Sequence, residues 1–175
     1  MSDSAVAIPT KQFFVSMLTR DISLADAILD LLDNCLDGAL RTAGSNPVDY
    51  SKHKVIISLS ANEFRIEDDC GGIPRDVAKN YAFKMGRETD DARDCDTETI
   101  GMYGVGMKRA IFKMGRNALV KTLHNGDSYQ VPITSDWLDS KDWNPLPIEE
   151  VNDQEAAGTI ISVSELYPGV SRHFS

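Results

Sequence analysis

The chain has 175 residues, 42% of them apolar and 26% charged, which fits one globular domain with a full core. Its formal net charge of −9 argues against direct nucleic-acid binding, because phosphate backbones are gripped by Lys and Arg. No run approaches the length of a membrane span, and Cys35, Cys70 and Cys95 lack the spacing of a disulfide framework or a zinc site, so a reducing, cytoplasmic home is expected.

Residues 1–8 predict a loose arm, and residues 12–20 a short docking helix or strand with a second copy of the chain as one candidate partner. Residues 23–41 (SLADAILDLLDNCLDGALR) predict an amphipathic helix. Leu24, Ala27, Ile28, Leu31, Leu32, Cys35 and Ala39 recur at the spacing that buries one face. Ser23 and Asp26 are placed to form a capping box. Asp26, Asp30, Asp33, Asn34 and Asp37 crowd onto the other face, where no basic partner is expected. Charged helix faces are commonly just solvated, but like charges one turn apart repel, and a hard divalent ion shared with nucleotide phosphates would relieve them.

Gly, Asn and Pro make 43–54 a loop, in which His53 reads as a solvated side chain rather than a ligand. Residues 55–59 and 64–67 predict a hairpin ending in the polar turn EDDCGGIP. Asp68 then stands at a strand edge, and Gly71 and Gly72 allow close backbone approach to a ligand. Residues 74–85 suit a helix with Pro74 at its first position. The acidic, aperiodic 86–99 predicts a mobile segment that feeds Gly101, Gly104 and Gly106 ahead of an apolar-periodic helix. Glycines entering a helix N-terminus leave N–H groups free for an anion, most simply phosphate. Neither GxxxxGK[ST] nor GxGxxG is present, which disfavours the P-loop and dinucleotide folds. Asn125-Gly126 signals a hairpin between 118–123 and 128–133, 135–153 has no clear pattern, and 158–166 predicts a last strand.

DxxxNxxD on a helix, DxxGG after a strand, GxxGxG after a polar segment and GTI on a late strand, in that order, resemble the GHKL superfamily of ATPases: gyrase B, the heat-shock chaperone, histidine kinases, MutL and the MORC proteins. The resemblance implies an α/β (α+β) two-layer sandwich of the Bergerat type, with helices on one face of a mixed β-sheet. It implies an arm at 1–22, an ATP-binding domain at 23–166 with a lid at about 86–106, and a tail at 167–175 leading toward a downstream transducer or effector domain.

By the same resemblance Asn34 is the Mg²⁺ ligand, Asp68 receives the adenine amino group, and Thr159 supports Asp68. Gly72, Gly101, Gly104 and Gly106 match nucleotide-binding glycines, Lys108 is a further phosphate contact, and Asp37 is the acidic position these ATPases share. Cys70 replaces the first glycine of the adenine motif. Asp30 stands where a water-polarising glutamate is usual and is one methylene shorter. The expected activity is Mg²⁺-dependent ATP binding with slow hydrolysis and nucleotide-driven closure and homodimerisation. The alternative is an ATP-binding dimerisation switch that hydrolyses negligibly.

Overall fold

The computed structural model describes residues 7–44, 46–47, 49–85, 105–154 and 156–175. Among these residues six strands form one sheet: β1 Val55–Leu59, β2 Phe64–Asp68, β3 Gly115–His124, β4 Asp127–Ile133, β5 Glu149–Glu150 and β6 Gly158–Leu166. Their spatial order is β1-β2-β6-β3-β4-β5. Among the described residues every pairing is antiparallel, so the expected sandwich is present while the sheet, expected to be mixed, is antiparallel there. Local hairpins account for this: Asn125 and Gly126 adopt the positive φ values of 49° and 83° that a tight turn between β3 and β4 needs.

The helices are α1 Lys11–Thr19, α2 Leu24–Ala43, α3 Arg75–Val77, α4 Gly106–Met114, α5 Ser135–Asp139 and α6 Pro168–His173. The capping box on α2 is formed, with the Ser23 hydroxyl accepting from Asp26 N and the Asp26 carboxylate accepting from Ser23 N. Ala27, Leu31, Cys35 and Ala39 are buried, with Leu24, Ile28 and Leu32 packed at the margin of the core. The predicted 74–85 helix is shorter than expected. Pro74 is extended at ψ 141° and caps α3 from outside, and after one turn the backbone widens into a π-helical turn, Ala78–Ala82.

Helix α1 packs within its own chain. The Lys11 ammonium donates to Trp137 O and Ser140 Oγ, both at 2.6 Å, and lies 4.0 Å from the centre of the Trp137 ring. Lys113 of α4 donates to Thr19 O at 3.1 Å and so closes the other end of α1.

Pleating turns alternate residues toward the helix layer. Register aligns Phe64, Val163, Ala118 and Ile133 in one cross-strand row, and Ile66, Ile161, Val120 and Val131 in the next. All eight are buried, and each large one contributes roughly 1.5–3 kcal/mol of hydrophobic stabilisation. Among the described residues no helix is long and apolar enough to cross a membrane.

Candidate functional site

The next row on that same helix-facing side of the sheet is polar. Asp68 of β2 lies opposite Thr159 of β6, Thr159 opposite Thr122 of β3, and Thr122 opposite Tyr129 of β4. The Thr122 and Thr159 hydroxyls are 3.4 Å apart, and Thr122 Oγ1 donates to Gly158 O at 3.1 Å while accepting from Ile73 N at 2.8 Å. Hydrophobic rows thus give way to a carboxylate and two hydroxyls where the strands of this end run out. Burying those groups adds no hydrophobic stabilisation, and it incurs a desolvation cost unless partners compensate.

Asp68 has such partners. Its Oδ1 accepts from Cys70 N at 2.8 Å, and the Cys35 thiol of α2 approaches Oδ2 at 3.6 Å. Burial nevertheless raises the carboxyl above the ordinary aspartate range, against the lowering effect of its hydrogen bonds from Cys70, Cys35 and Thr159, and the charge of Asp69 pushes it further up. The helix sits close because α2 carries a glycine there: a Cβ on Gly38 would lie 2.9 Å from Cys70 O and 3.1 Å from Cys70 Cβ. The Cys70 side chain is therefore packed under α2. Asp37 is buried on this part of α2, and Asp37 and Asp68 both act on the Arg41 guanidinium.

Asn34 stands one residue before Cys35. Among the described residues its side-chain nitrogen is buried with no hydrogen-bond partner, an uncommon condition for a buried polar atom. A side-chain amide turned by 180° keeps its shape, so the same space takes the amide oxygen, which is the kind of hard donor Mg²⁺ binds. Burial raises the Asp33 carboxyl, and the neighbouring charges of Asp30 and Asp37 push in the same direction. This crowding of oxygen donors on one helix face fits a divalent cation.

The acidic face does have a basic partner, and it comes from another helix. Arg109 of α4 donates through Nε to Asp30 Oδ2 and through Nη2 to Asp30 Oδ1, each at 2.8 Å. The sequence pattern around Asp30 could not contain it, since the two residues are 79 positions apart. The helix start at Gly106 packs beside the same carboxylate, where a Cβ would lie 3.6 Å from the Asp30 Cβ and Cγ. Lys108 is buried, with its ammonium donating to Ala82 O at 2.8 Å. Gly101, Gly104, the 86–99 segment and most of the expected lid lie outside the described residues.

The glycines after Asp68 serve a purpose that the sequence did not disclose. Gly72, at φ 72°, lies so close to β3 that a Cβ would sit 2.3 Å from Leu123 O, and a Cβ on Gly71, at φ 92°, would sit 2.2 Å from Thr42 Oγ1. The close approach they permit is to this protein's own strand and helix. Gly158, just before Thr159, is similarly constrained: a Cβ there would lie 1.9 Å from Asp68 O. His53 is also unlike its sequence reading, since its Nδ1 is buried and lies 3.4 Å from Asp69 Oδ1.

The site therefore has two anchoring regions along α2, one at Asp68 beside Cys35 and one at Asp30 beside the start of α4. They are separated by about 7.5 Å of helix axis, at 1.5 Å per residue. Arg109, Cys35 and Thr122 are the members that sequence reasoning missed. Of these only Arg109 carried a signal, as the cation following the glycine motif.

An antiparallel sheet under helices, with a carboxylate and threonine row at one end of its helix-facing side, makes this an α+β two-layer domain. Residues 22–164 match the family described as histidine kinase-, DNA gyrase B- and HSP90-like ATPase, and the chain belongs to that family. No curated protein matches the chain.

Proposed function

We propose that this domain binds ATP with Mg²⁺ and hydrolyses it slowly. The observation that carries the reading is the placement of Asp68, a half-buried carboxylate at the end of the sheet's core-facing side, in register with Thr159 and through it with Thr122. In an apolar surround, a carboxylate that accepts from the adenine amino group gives specificity that hydrophobic contact alone cannot. Thr159 and Thr122 supply further hydroxyls in the same row.

Asn34 would hold Mg²⁺ through its amide oxygen, with Asp33 and Asp37 close by on α2. The ion supplies charge neutralisation for the nucleotide phosphates. Gly106, with Gly101 and Gly104, would offer N–H groups to those phosphates at the start of α4. Lys108 would join them only by exchanging its bond to Ala82 O. Closure of the 86–106 segment over the nucleotide, pairing of two copies and coupling to a downstream domain complete the reading, and they rest on the family.

Asp30 would orient the attacking water. Arg109 occupies one acceptor position on each of its oxygens, and a carboxylate has about four such positions, so water can still be held on the outer side. Such positioning of a proton acceptor is worth about 10²–10⁴ in rate.

The Asp30–Arg109 pair also favours a second reading, in which the acid is held away from water and the domain is an ATP-operated switch with negligible hydrolysis. Calorimetric titration with ATP, with and without Mg²⁺, alongside a turnover assay tests the proposal. One ATP bound per chain, more tightly with Mg²⁺ and with slow turnover, is expected. Absence of ATP binding overturns both readings, and tight binding without turnover selects the switch.

A further inference from the structure

At the open end of the β1–β2 hairpin, next to Asp68 of the nucleotide site, three side chains of metal-binding type come together. Asp69 N donates to Lys54 O at 3.2 Å, and Lys54 N donates to Asp69 Oδ1 at 2.8 Å. These bonds prolong the β1–β2 ladder by one step beyond Val55 and Asp68, which brings His53 beside Cys70. Donor atoms of His53, Asp69 and Cys70 all lie within 4.8 Å of one another.

We propose that His53, Asp69 and Cys70 form a binding site for a borderline transition-metal ion of the Zn²⁺ type, with water in the fourth position. The donor set is one imidazole nitrogen, one carboxylate oxygen and one sulfur. Zn²⁺ takes this mixture in tetrahedral geometry, whereas Mg²⁺ and Ca²⁺ take oxygens. Zinc bonds of about 2.0–2.3 Å place tetrahedral ligands about 3.3–3.8 Å apart. The His53 Nδ1 to Asp69 Oδ1 separation of 3.4 Å already meets that spacing.

A second observation points into the same place. His53 Nδ1 is buried and makes no hydrogen bond among the described residues, although the Asp69 carboxylate is near. Such a nitrogen lacks the partner that buried polar atoms ordinarily have, and a metal ion would supply it. Cys70 is 3% exposed and held in place under Gly38, so the sulfur is presented by a rigid backbone rather than a loose loop. Burial, with the charges of Asp68 and Asp69, pushes its thiol up to about 11. The proton leaves to solvent when a metal takes its place.

The ligand chemistry keeps this site distinct from the nucleotide's Mg²⁺, and it does not depend on ATP binding. The test is titration of the chelator-treated 175-residue chain with Co²⁺, without nucleotide, followed by absorption. The expected result is saturation at one Co²⁺ per chain, with a thiolate-to-metal charge-transfer band and four-coordinate visible bands, both removed by added Zn²⁺. Cys70→Ser and His53→Ala should each abolish the charge-transfer band, and Cys35→Ser should retain it. Circular dichroism establishes that each variant is folded, and Asp69→Asn, which keeps the acceptor for Lys54 N, should weaken Co²⁺ binding at least tenfold. A wild-type chain without the band overturns the proposal, as does a folded His53→Ala with the wild-type spectrum or a band that depends on Cys35 instead of Cys70.

Discussion

Asp30 of α2 and Arg109 of α4 meet through two hydrogen bonds of 2.8 Å each, a fork-to-carboxylate arrangement across 79 positions of sequence. Each side chain is less than a third exposed, at 18% for Asp30 and 32% for Arg109, so the pair is better shielded from water than an ordinary surface bridge. It ties the acidic face of α2 to the first turns of α4, where the glycine motif ends. The same contact restrains the residue proposed to orient the attacking water.

Asp30→Asn should leave ATP affinity unchanged, because the amide is isosteric and remote from Asp68. Turnover should fall by at least about 100-fold if the carboxylate is the proton acceptor. Hydrolysis and calorimetry measured together check this, and equal turnover in wild type and variant removes Asp30 from the chemistry.

Asp68→Asn should abolish ATP binding while raising thermal stability at neutral pH. Burial favours the protonated form in the folded state, so the folded pKa lies above the unfolded one. The stability contribution of a group shifted in that direction is present below the unfolded value of about 3.9 and is lost as pH rises through the folded value. The asparagine has no such loss, so its melting-temperature advantage should grow from acid to neutral pH. Melting curves across that range check the sign, and an advantage that shrinks as pH rises would refute it.

Much of the fold was legible because the informative interactions are local. The capping box at Ser23 and Asp26, the buried stripe from Ala27 to Ala39, the Asn125-Gly126 turn and the last strand all follow from spacings of a few residues. What the sequence concealed is non-local. Arg109 reaches Asp30, Gly38 makes room for Cys70, and Gly72 fits against Leu123 only once α2, α4 and β3 have assembled. The polar row at Asp68, Thr159 and Thr122 likewise depends on register between three strands, which no single strand discloses. The helix after Pro74 is shorter than its pattern predicts because nothing in the sequence signals the π-helical turn at Ala78–Ala82.

Asn34→Ala should render ATP binding insensitive to Mg²⁺ without unfolding the chain. The buried amide nitrogen forms no hydrogen bond in the described structure, so truncation sacrifices packing but no internal hydrogen bond, at a cost of about 1 kcal/mol, typical of a point substitution. Titrations with and without a chelator decide the matter: a variant that keeps the wild-type Mg²⁺ dependence moves the ligand to a neighbouring aspartate.

Gly72→Ala should destabilise the free protein by about 2–4 kcal/mol, from the left-handed backbone together with the overlap at Leu123 O. The loss should be present without nucleotide, because the crowding is internal. Denaturant unfolding of the nucleotide-free chain measures it. Unchanged stability with weakened ATP binding would instead make this glycine a ligand contact.

Arg109→Lys separates the enzyme from the switch. Lysine keeps the positive charge but replaces two fixed N–H groups with a single flexible ammonium, so Asp30 loses its fixed orientation while its charge stays compensated. If Arg109 is a positioning residue that aims Asp30 at water, kcat should fall, KM for ATP should hold, and Asp30→Asn combined with Arg109→Lys should be no slower than Asp30→Asn alone, because both act through one carboxylate. Stability should drop by only about 1 kcal/mol, since the exchange retains a partly shielded ion pair. If the guanidinium instead holds the acid away from water, loosening it should raise turnover above the wild-type rate. We expect the fall, because the two bonds leave the outer acceptor positions of Asp30 open, and steady-state kinetics of the three variants beside wild type would reveal either outcome.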